Sequence, residues 1–279
     1  MQGYYQAIRH YMDLHVIADN LNEMAMNDLV PDAFCSLLMQ DCLGRGKAIK
    51  EGGVVYDMIS GTLVGISNVG NAMYAIKRVV FDQKLVSVSE LRAALDSDFE
   101  GVEGERIRQI LLNSAEKFGN DDDEADEYTK RISDYFADEI YRYKTMRYGK
   151  GPIGCCYTSS TVTITDGISP ARGTLHAGPT AVLKSVGKLS TELFTGGQLL
   201  NMRFDPLTIE TGRDEQKFAA FLRAFSSLKC WHVQFNMVSN KVLRDAQVHP
   251  ELYQDLIVRV AGYSALYTSL NRELQDDII

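Results

Sequence analysis

The last third of the chain alternates helical and strand periodicity without a linker between them, and this order constrains the fold more than any other feature. Phe218, Phe221, Leu222 and Phe225 recur at helical spacing. His232-Val-Gln-Phe-Asn-Met-Val238 then alternates as a strand does, and a turn and a helix follow. Leu256-Ile-Val-Arg-Val260 is a compact β-prone run that leads straight into Ala261-Gly262-Tyr263. No internal repeat, low-complexity tract or Pro/Gly/Ser-rich linker divides the chain, so residues 1–279 read as a single unit.

Upstream, helical spacing dominates. Tyr4, Ile8, Tyr11, Leu14 and Val16 predict a helix over 4–20 with one buried side. A second helix is predicted over 32–45, with Pro31 before it, Asp32 as N-cap, and Gly44 and Gly46 to stop it. Glu51 to Gly61 is a short β-prone run between glycines. Ile66, Val69, Met73, Ile76 and Val80 predict a buried helix over 65–82. Ile107, Ile110, Leu111, Ala115 and Phe118 predict another, ended by Gly119 and Asn120, and one more is expected over 128–146.

From Gly149 to Gly178 the chain becomes rich in Gly, Ser, Thr and Pro. Within it, 158–165 alternates, with Val162 and Ile164 on one face and Ser159, Thr161 and Thr163 on the other. That hydroxyl face either lines a polar pocket or meets water.

The composition excludes several classes of function. A net charge of -8 repels phosphate backbones, so nucleic acid is not the expected partner. No run approaches the roughly 18 apolar residues of a membrane span, and Met1 to His10 lack a signal-peptide pattern, so a cytoplasmic protein is expected. The odd set Cys35, Cys42, Cys155, Cys156 and Cys230 lacks zinc spacing and fits free thiols in a reducing compartment.

Common catalytic motifs fail on spacing. Gly44-Arg-Gly-Lys47 lacks the residues a P-loop needs on both sides, and Gly61, Gly65 and Gly70 do not make a dinucleotide fingerprint. The five histidines are too dispersed for a ligand set, no G-x-S-x-G elbow is present, and no metal site is expected. The acidic run 121–127 lacks EF-hand offsets and reads as a solvated loop and helix start. Cys155 and Cys156 are adjacent, so on a strand they point to opposite faces and read as small core residues.

By itself, a glycine between a β-prone run and an aromatic residue is a turn. The string Arg259-Val-Ala-Gly262-Tyr-Ser-Ala265, with 17 residues after the glycine, nevertheless resembles the R-V-x-G-Y-[SA] motif of the glycyl radical enzymes. That family includes pyruvate formate-lyase and the coenzyme B12-independent diol dehydratases. The resemblance extends through Asp41-Cys-Leu-Gly-Arg-Gly-Lys47, Glu51-Gly-Gly-Val-Val-Tyr-Asp57 and Gly65-Ile-Ser-Asn-Val-Gly-Asn-Ala-Met-Tyr-Ala-Ile-Lys77. It continues in order through Asp166-Gly-Ile-Ser-Pro170, Gly178-Pro-Thr-Ala181, Thr195-Gly-Gly197, Leu200-Asn201 and Val233-Gln-Phe-Asn236.

The resemblance implies an α/β fold, the C-terminal half of a ten-stranded β/α barrel, with 250–279 as the glycyl radical domain. It implies that Gly262 stores the radical. Loss of a glycine Cα hydrogen leaves an electron shared between a donating amide nitrogen and a withdrawing carbonyl, and the centre becomes planar without a Cβ to crowd it. No cofactor is bound; a separate S-adenosylmethionine iron-sulfur activating enzyme installs the radical. The implied chemistry is oxygen-sensitive, anaerobic lyase or dehydratase action on a small polar substrate, with Ser159, Thr161 and Thr163 as candidate substrate wall. The alternatives are pyruvate formate-lyase-type acyl transfer and a non-catalytic radical-domain or assembly subunit.

Three departures qualify the resemblance. The family's G-C-x-E loop, which carries the thiyl cysteine, has no counterpart: Cys155 and Cys156 lie only 107 and 106 residues before Gly262, and no Glu follows as required. A P-D-G-R segment is absent between Ile164 and Gly167, and Ile279 falls short of an A-R-T ending. The expectation is an incomplete polypeptide, inactive alone, that works with the remaining N-terminal part of the enzyme as a homodimer.

Overall fold

The computed structural model describes residues 1–56, 60–144, 153–157, 168–171, 173–209, 211–260 and 263–279. In chain order the principal elements are α1 (Gln2–Leu29), α2 (Ala33–Leu38), α3 (Cys42–Arg45), β1 (Ser60–Leu63), α4 (Ile66–Ile76), α5 (Val88–Asp96), α6 (Gly101–Asn113) and α7 (Asp123–Ile140). Then come β2 (Gly154–Tyr157), α8 (Pro179–Gly187), β3 (Leu199–Arg203), α9 (Gly212–Ser227), β4 (His232–Asn236), α10 (Asn240–Val248), β5 (Ile257–Arg259), β6 (Ser264–Leu266) and α11 (Arg272–Ile278). Among the described residues no helix is long and apolar enough to cross a membrane.

The chain divides into two compact units. The first comprises 1–62, 133–156 and 192–196, and the second 63–132, 157–191 and 197–279.

In the first unit α1 outruns its predicted end, and its covered side keeps part of the predicted one, with Val16 buried and Tyr4 and Ile8 half-buried. Met12 and Val16 are buried, whereas Tyr11 and Leu14 are exposed, because the covered residues follow steps of four. Tyr5 stacks on Tyr135 with ring centroids 4.0 Å apart, and Arg9 grips the buried Glu139 carboxylate through two bonds of 2.9 and 3.0 Å. Arg142 reaches the same carboxylate at 3.1 Å, which offsets the cost of burying its charge.

The helix expected over 32–45 is two helices. The Asp32 side chain does cap α2, accepting from Cys35 N, but Met39 is extended and Asp41 left-handed. The break lets Arg45 donate to the carbonyls of Gly53 and Val54, both at 3.1 Å. Gly53 is glycine for a local reason: a Cβ there would lie 2.3 Å from Lys47 O and 2.8 Å from Ala48 O. The Arg-Gly-Lys and Gly-Gly segments are thus two halves of one loop closure. The β-prone run predicted over 51–61 is not a strand over its described residues 51–56, where a 3-10 turn (Ile49–Glu51) and bends serve the loop closure. Strand β1, which pairs with β2, takes only the run's last two residues and continues to Leu63.

In the second unit α4 begins as predicted and passes into a π-helical turn over Lys77–Asp82. Val79, Val80, Val86, Leu91, Ala94 and Ile107 form one core with α5 and α6. Ser87 and Glu90 close a reciprocal capping box at the start of α5. Gly119 and Asn120 do not end a helix, since α6 stops at Asn113. Instead the Phe118 N–H donates to Asn71 Oδ1 at 2.7 Å, and Asn120 binds the 174–177 loop, donating to Thr174 O and accepting from His176 N and Ala177 N.

The acidic run starts α7, as its helix-start reading requires, but it is not solvated throughout. Asp126 is fully buried, and Lys188 gathers Asp121, Asp123 and Asp126 at 3.1, 2.7 and 2.8 Å. A helix packed over the run turns one of its faces inward, which the charge pattern alone does not reveal. Helix α7 also ends at Ile140, short of 146, where short-range turn bonds to Glu139 O and Ile140 O take over.

Strands β3 and β4 are parallel, with Leu199 opposite His232 and Arg203 opposite Asn236, and α9 makes the crossover between them. Strands β5 and β6 form an antiparallel hairpin. Val258, Val260 and Tyr267 of the hairpin region pack with Leu243, Ala246 and Ile278 from α10 and α11.

Candidate functional site

Period-2 alternation sorts β3 and β4 into two faces. On one, Phe235 joins Phe204, Phe218 and Phe221 in a ring cluster with centroids 5.4–6.2 Å apart, which seats α9 on the sheet. On the other, Asn201 lies opposite Gln234 and Arg203 opposite Asn236. This polar face borders a cleft of about 980 Å³ within the second unit.

The cleft walls are built from distant pieces. Ser169 is fastened to β3, accepting from Asn201 N at 3.1 Å, and its carbonyl accepts from the buried Ser67 hydroxyl at 2.9 Å. Ile168 N donates to Leu199 O at 3.0 Å, so the Ile-Ser-Pro segment continues the sheet edge. Across the cleft Arg203 donates to the carbonyls of Ile278 and, at 2.6 Å for the first, Ile279. Burial draws the Arg203 guanidinium below its ordinary pKa.

The β5–β6 hairpin meets this face. Arg259 pairs with Ser264, and Val260 N donates to Tyr263 O at 2.9 Å, so the residues on both sides of positions 261–262 are hydrogen-bonded to each other. Strand β4 reaches the hairpin through side chains. Asn236 Nδ2 donates to Arg259 O at 3.1 Å, Gln234 Nε2 to Val260 O at 3.3 Å, and Arg259 Nε back to Gln234 Oε1 at 3.2 Å.

Of the residues singled out from sequence, Gly262 and the hydroxyl face Ser159, Thr161 and Thr163 lie outside the described residues. Cys155 and Cys156 fall on β2. No cluster of three or more His, Cys, Asp or Glu side chains able to hold a metal occurs among the described residues. Gln234, Asn236 and Arg203 were not predicted as site residues. Their signal was present in the polar alternation of 232–236, which marks a strand with one wet face.

Parallel strands joined through a helix, with the β5–β6 hairpin held by side chains against their polar face, define an α/β protein with a cleft at that face. Residues 1–168 match the family described as pyruvate formate lyase-like, and 164–268 match the one described as glycine radical. The chain belongs to the glycyl radical enzyme family. It is 42% identical to the probable dehydratase YbiW of Escherichia coli strain K12, covering 100% of this chain and 37% of that protein. It is 35% identical to trans-4-hydroxy-L-proline dehydratase of Clostridioides difficile, covering 97% of this chain and 36% of the relative.

A solved structure described for 1,2-propanediol dehydration in Roseburia inulinivorans superposes with a TM-score of 0.91 at 34% identity, over 100% of this chain and 38% of that one. The fold is therefore part of the α/β barrel of the glycyl radical enzymes. The chain spans just over a third of the length of the relatives it matches.

Proposed function

We propose that this chain is the radical-storing part of a glycyl radical lyase, and that Gly262 carries the radical. The observation that supports this reading most is the hairpin flanking positions 261–262, tied to the polar face of β4 beside the cleft. A radical stored beside the polar face of β4, at the edge of an open cleft, serves chemistry on a small polar substrate, and dehydration is the favoured reaction because both relatives described above carry dehydratase names.

In this reading a separate S-adenosylmethionine iron-sulfur activating enzyme removes the hydrogen atom from Gly262 in an anaerobic cytoplasm. A thiyl cysteine in the remaining N-terminal part of the enzyme takes the radical and removes hydrogen from substrate, and the assembled enzyme works as a homodimer. Ser159, Thr161 and Thr163 contribute to the substrate wall.

Anaerobic activation of the full-length enzyme with its activating enzyme and S-adenosylmethionine, read by electron paramagnetic resonance, tests this. A doublet is expected that disappears in Gly262→Ala, and oxygen should then cleave the chain at 262. Absence of the doublet, or its survival in Gly262→Ala, removes the assignment.

A further inference from the structure

Strand β4 and the hairpin strand β5 are not joined by a backbone ladder; they belong to different sheets. Their link on the cleft side includes two carboxamides, Gln234 and Asn236, two residues apart and therefore on one face of β4. Both donate to main-chain carbonyls, at Val260 and Arg259, just before the alanine and glycine of the radical motif. Gln234 is used at both ends, since its Oε1 accepts from Arg259 Nε while its Nε2 donates to Val260 O.

A backbone ladder fixes a strand along its whole length. Two side-chain donors instead act on two consecutive carbonyls, while β5 keeps its ladder to β6 and Val258 and Val260 pack in the apolar core. Asn236 is itself held in place, because its own carbonyl accepts from Phe204 N at 3.0 Å and its neighbour Phe235 sits in the ring cluster. The donors are thus mounted on a rigid strand and aimed at the segment entering position 262.

We propose that Gln234 and Asn236 are positioning residues for Gly262, setting how Arg259 and Val260, which lead into it, lie against the polar face of the sheet. The proposal rests on the radical assignment to Gly262 for its consequence in catalysis. The hydrogen bonds that carry it do not depend on that assignment.

Gln234→Glu and Asn236→Asp are the informative variants in the full-length enzyme. Each keeps size and shape but removes a donor and turns a carboxylate toward a carbonyl, while Gln234→Glu keeps the acceptor for Arg259. Hydrogen exchange of residues 256–266 in the unactivated enzyme is expected to quicken about fivefold for each lost bond, with residues 123–140 unchanged. After activation, kcat per spin is expected to fall with KM unaltered, and the donor-retaining Asn236→Gln is expected to recover more activity than Asn236→Asp.

Unchanged exchange in 256–266 in both variants overturns the proposal, whatever the spin measurement gives. Equal kcat per spin in the carboxylate variants also overturns it. A missing doublet in the unmodified enzyme, with exchange quickened in the variants, removes the radical assignment but leaves the hairpin tether standing. If a carboxylate variant does not fold, Gln234→Met and Asn236→Leu test the same loss of donors without introducing charge.

Discussion

Arg259 and Ser264 face each other across the β5–β6 hairpin, with guanidinium Nη1 donating to the serine Oγ at 3.3 Å. The first and sixth residues of the matched motif, Arg259 and Ser264, therefore clasp the base of the hairpin. Arg259 also donates through Nε to Gln234, a fork that a lysine ammonium does not reproduce. Arg259→Lys is expected to destabilise the hairpin more than Ser264→Ala, which removes one exposed bond of about 0.5–1 kcal/mol. Hydrogen exchange of 256–266 in the two variants checks the order; a larger effect from Ser264→Ala contradicts it.

Lys188 is the hub for three carboxylates, of which only Asp126 is fully buried. Burial raises the Asp126 pKa, and the hydrogen bonds from Lys188 and Ser185 partly counter it. Lys188→Met leaves that carboxylate without its cation, a loss on the order of 3–5 kcal/mol for a buried pair. The sign of the pH dependence follows. With the folded pKa pushed further above the unfolded value near 4, the folded state binds more protons in that window, and its stability falls as pH rises through it. The deficit of Lys188→Met should therefore be larger at pH 7 than at pH 5 in denaturant titrations, and an equal deficit at both would refute the mechanism.

Gly70 lies against Thr129, and a Cβ at 70 would come within 2.0 Å of Thr129 Oγ1 and 2.9 Å of its Cα. Moving the hydroxyl relieves the first contact, but the backbone contact remains. Gly70→Ala is expected to cost about 1–3 kcal/mol through overpacking, visible as a lowered Tm. A stabilised variant, as a gain in helix propensity alone would produce in α4, would show that the two helices separate easily.

Cys35 is exposed, whereas Cys42 and Cys230 are buried, and burial pushes the Cys230 thiol up to about 11. The Asp32 carboxylate raises the Cys35 pKa, first through its hydrogen bond and then through its charge. Asparagine caps a helix as well as aspartate does, so Asp32→Asn should keep α2 while releasing the thiolate. Alkylation of Cys35 at pH 8, followed by peptide mass mapping, is expected to run faster in Asp32→Asn than in the unmodified protein. A slower reaction would mean that the carboxylate does not control this thiol.

How much was legible in the sequence depended on the range of the interaction. The strand at 232–236, the helix carrying Phe218 and Phe221, and the Asp32 cap are written in neighbouring residues, and all three were predicted. The break within 32–45 is not legible locally, because it serves Arg45, whose partners lie eight and nine residues away. The burial of Asp126 within the acidic run is not legible locally, because its partner Lys188 lies 62 residues away. Gln234 and Asn236 were visible as strand residues but not as site residues, since their partners are 26 and 23 residues along the chain.

The sequence alone determined the family, because a run of residue types in fixed order survives without coordinates. It also determined which segments alternate with period two and which with period 3.6, because each element's face is encoded locally. Only the tertiary structure decided which strand face borders the cleft, that Asp126 is buried, and that two carboxamides of β4 hold the hairpin. Those facts depend on which distant segments meet, and a side chain's chemistry is set by what it touches after the chain has folded.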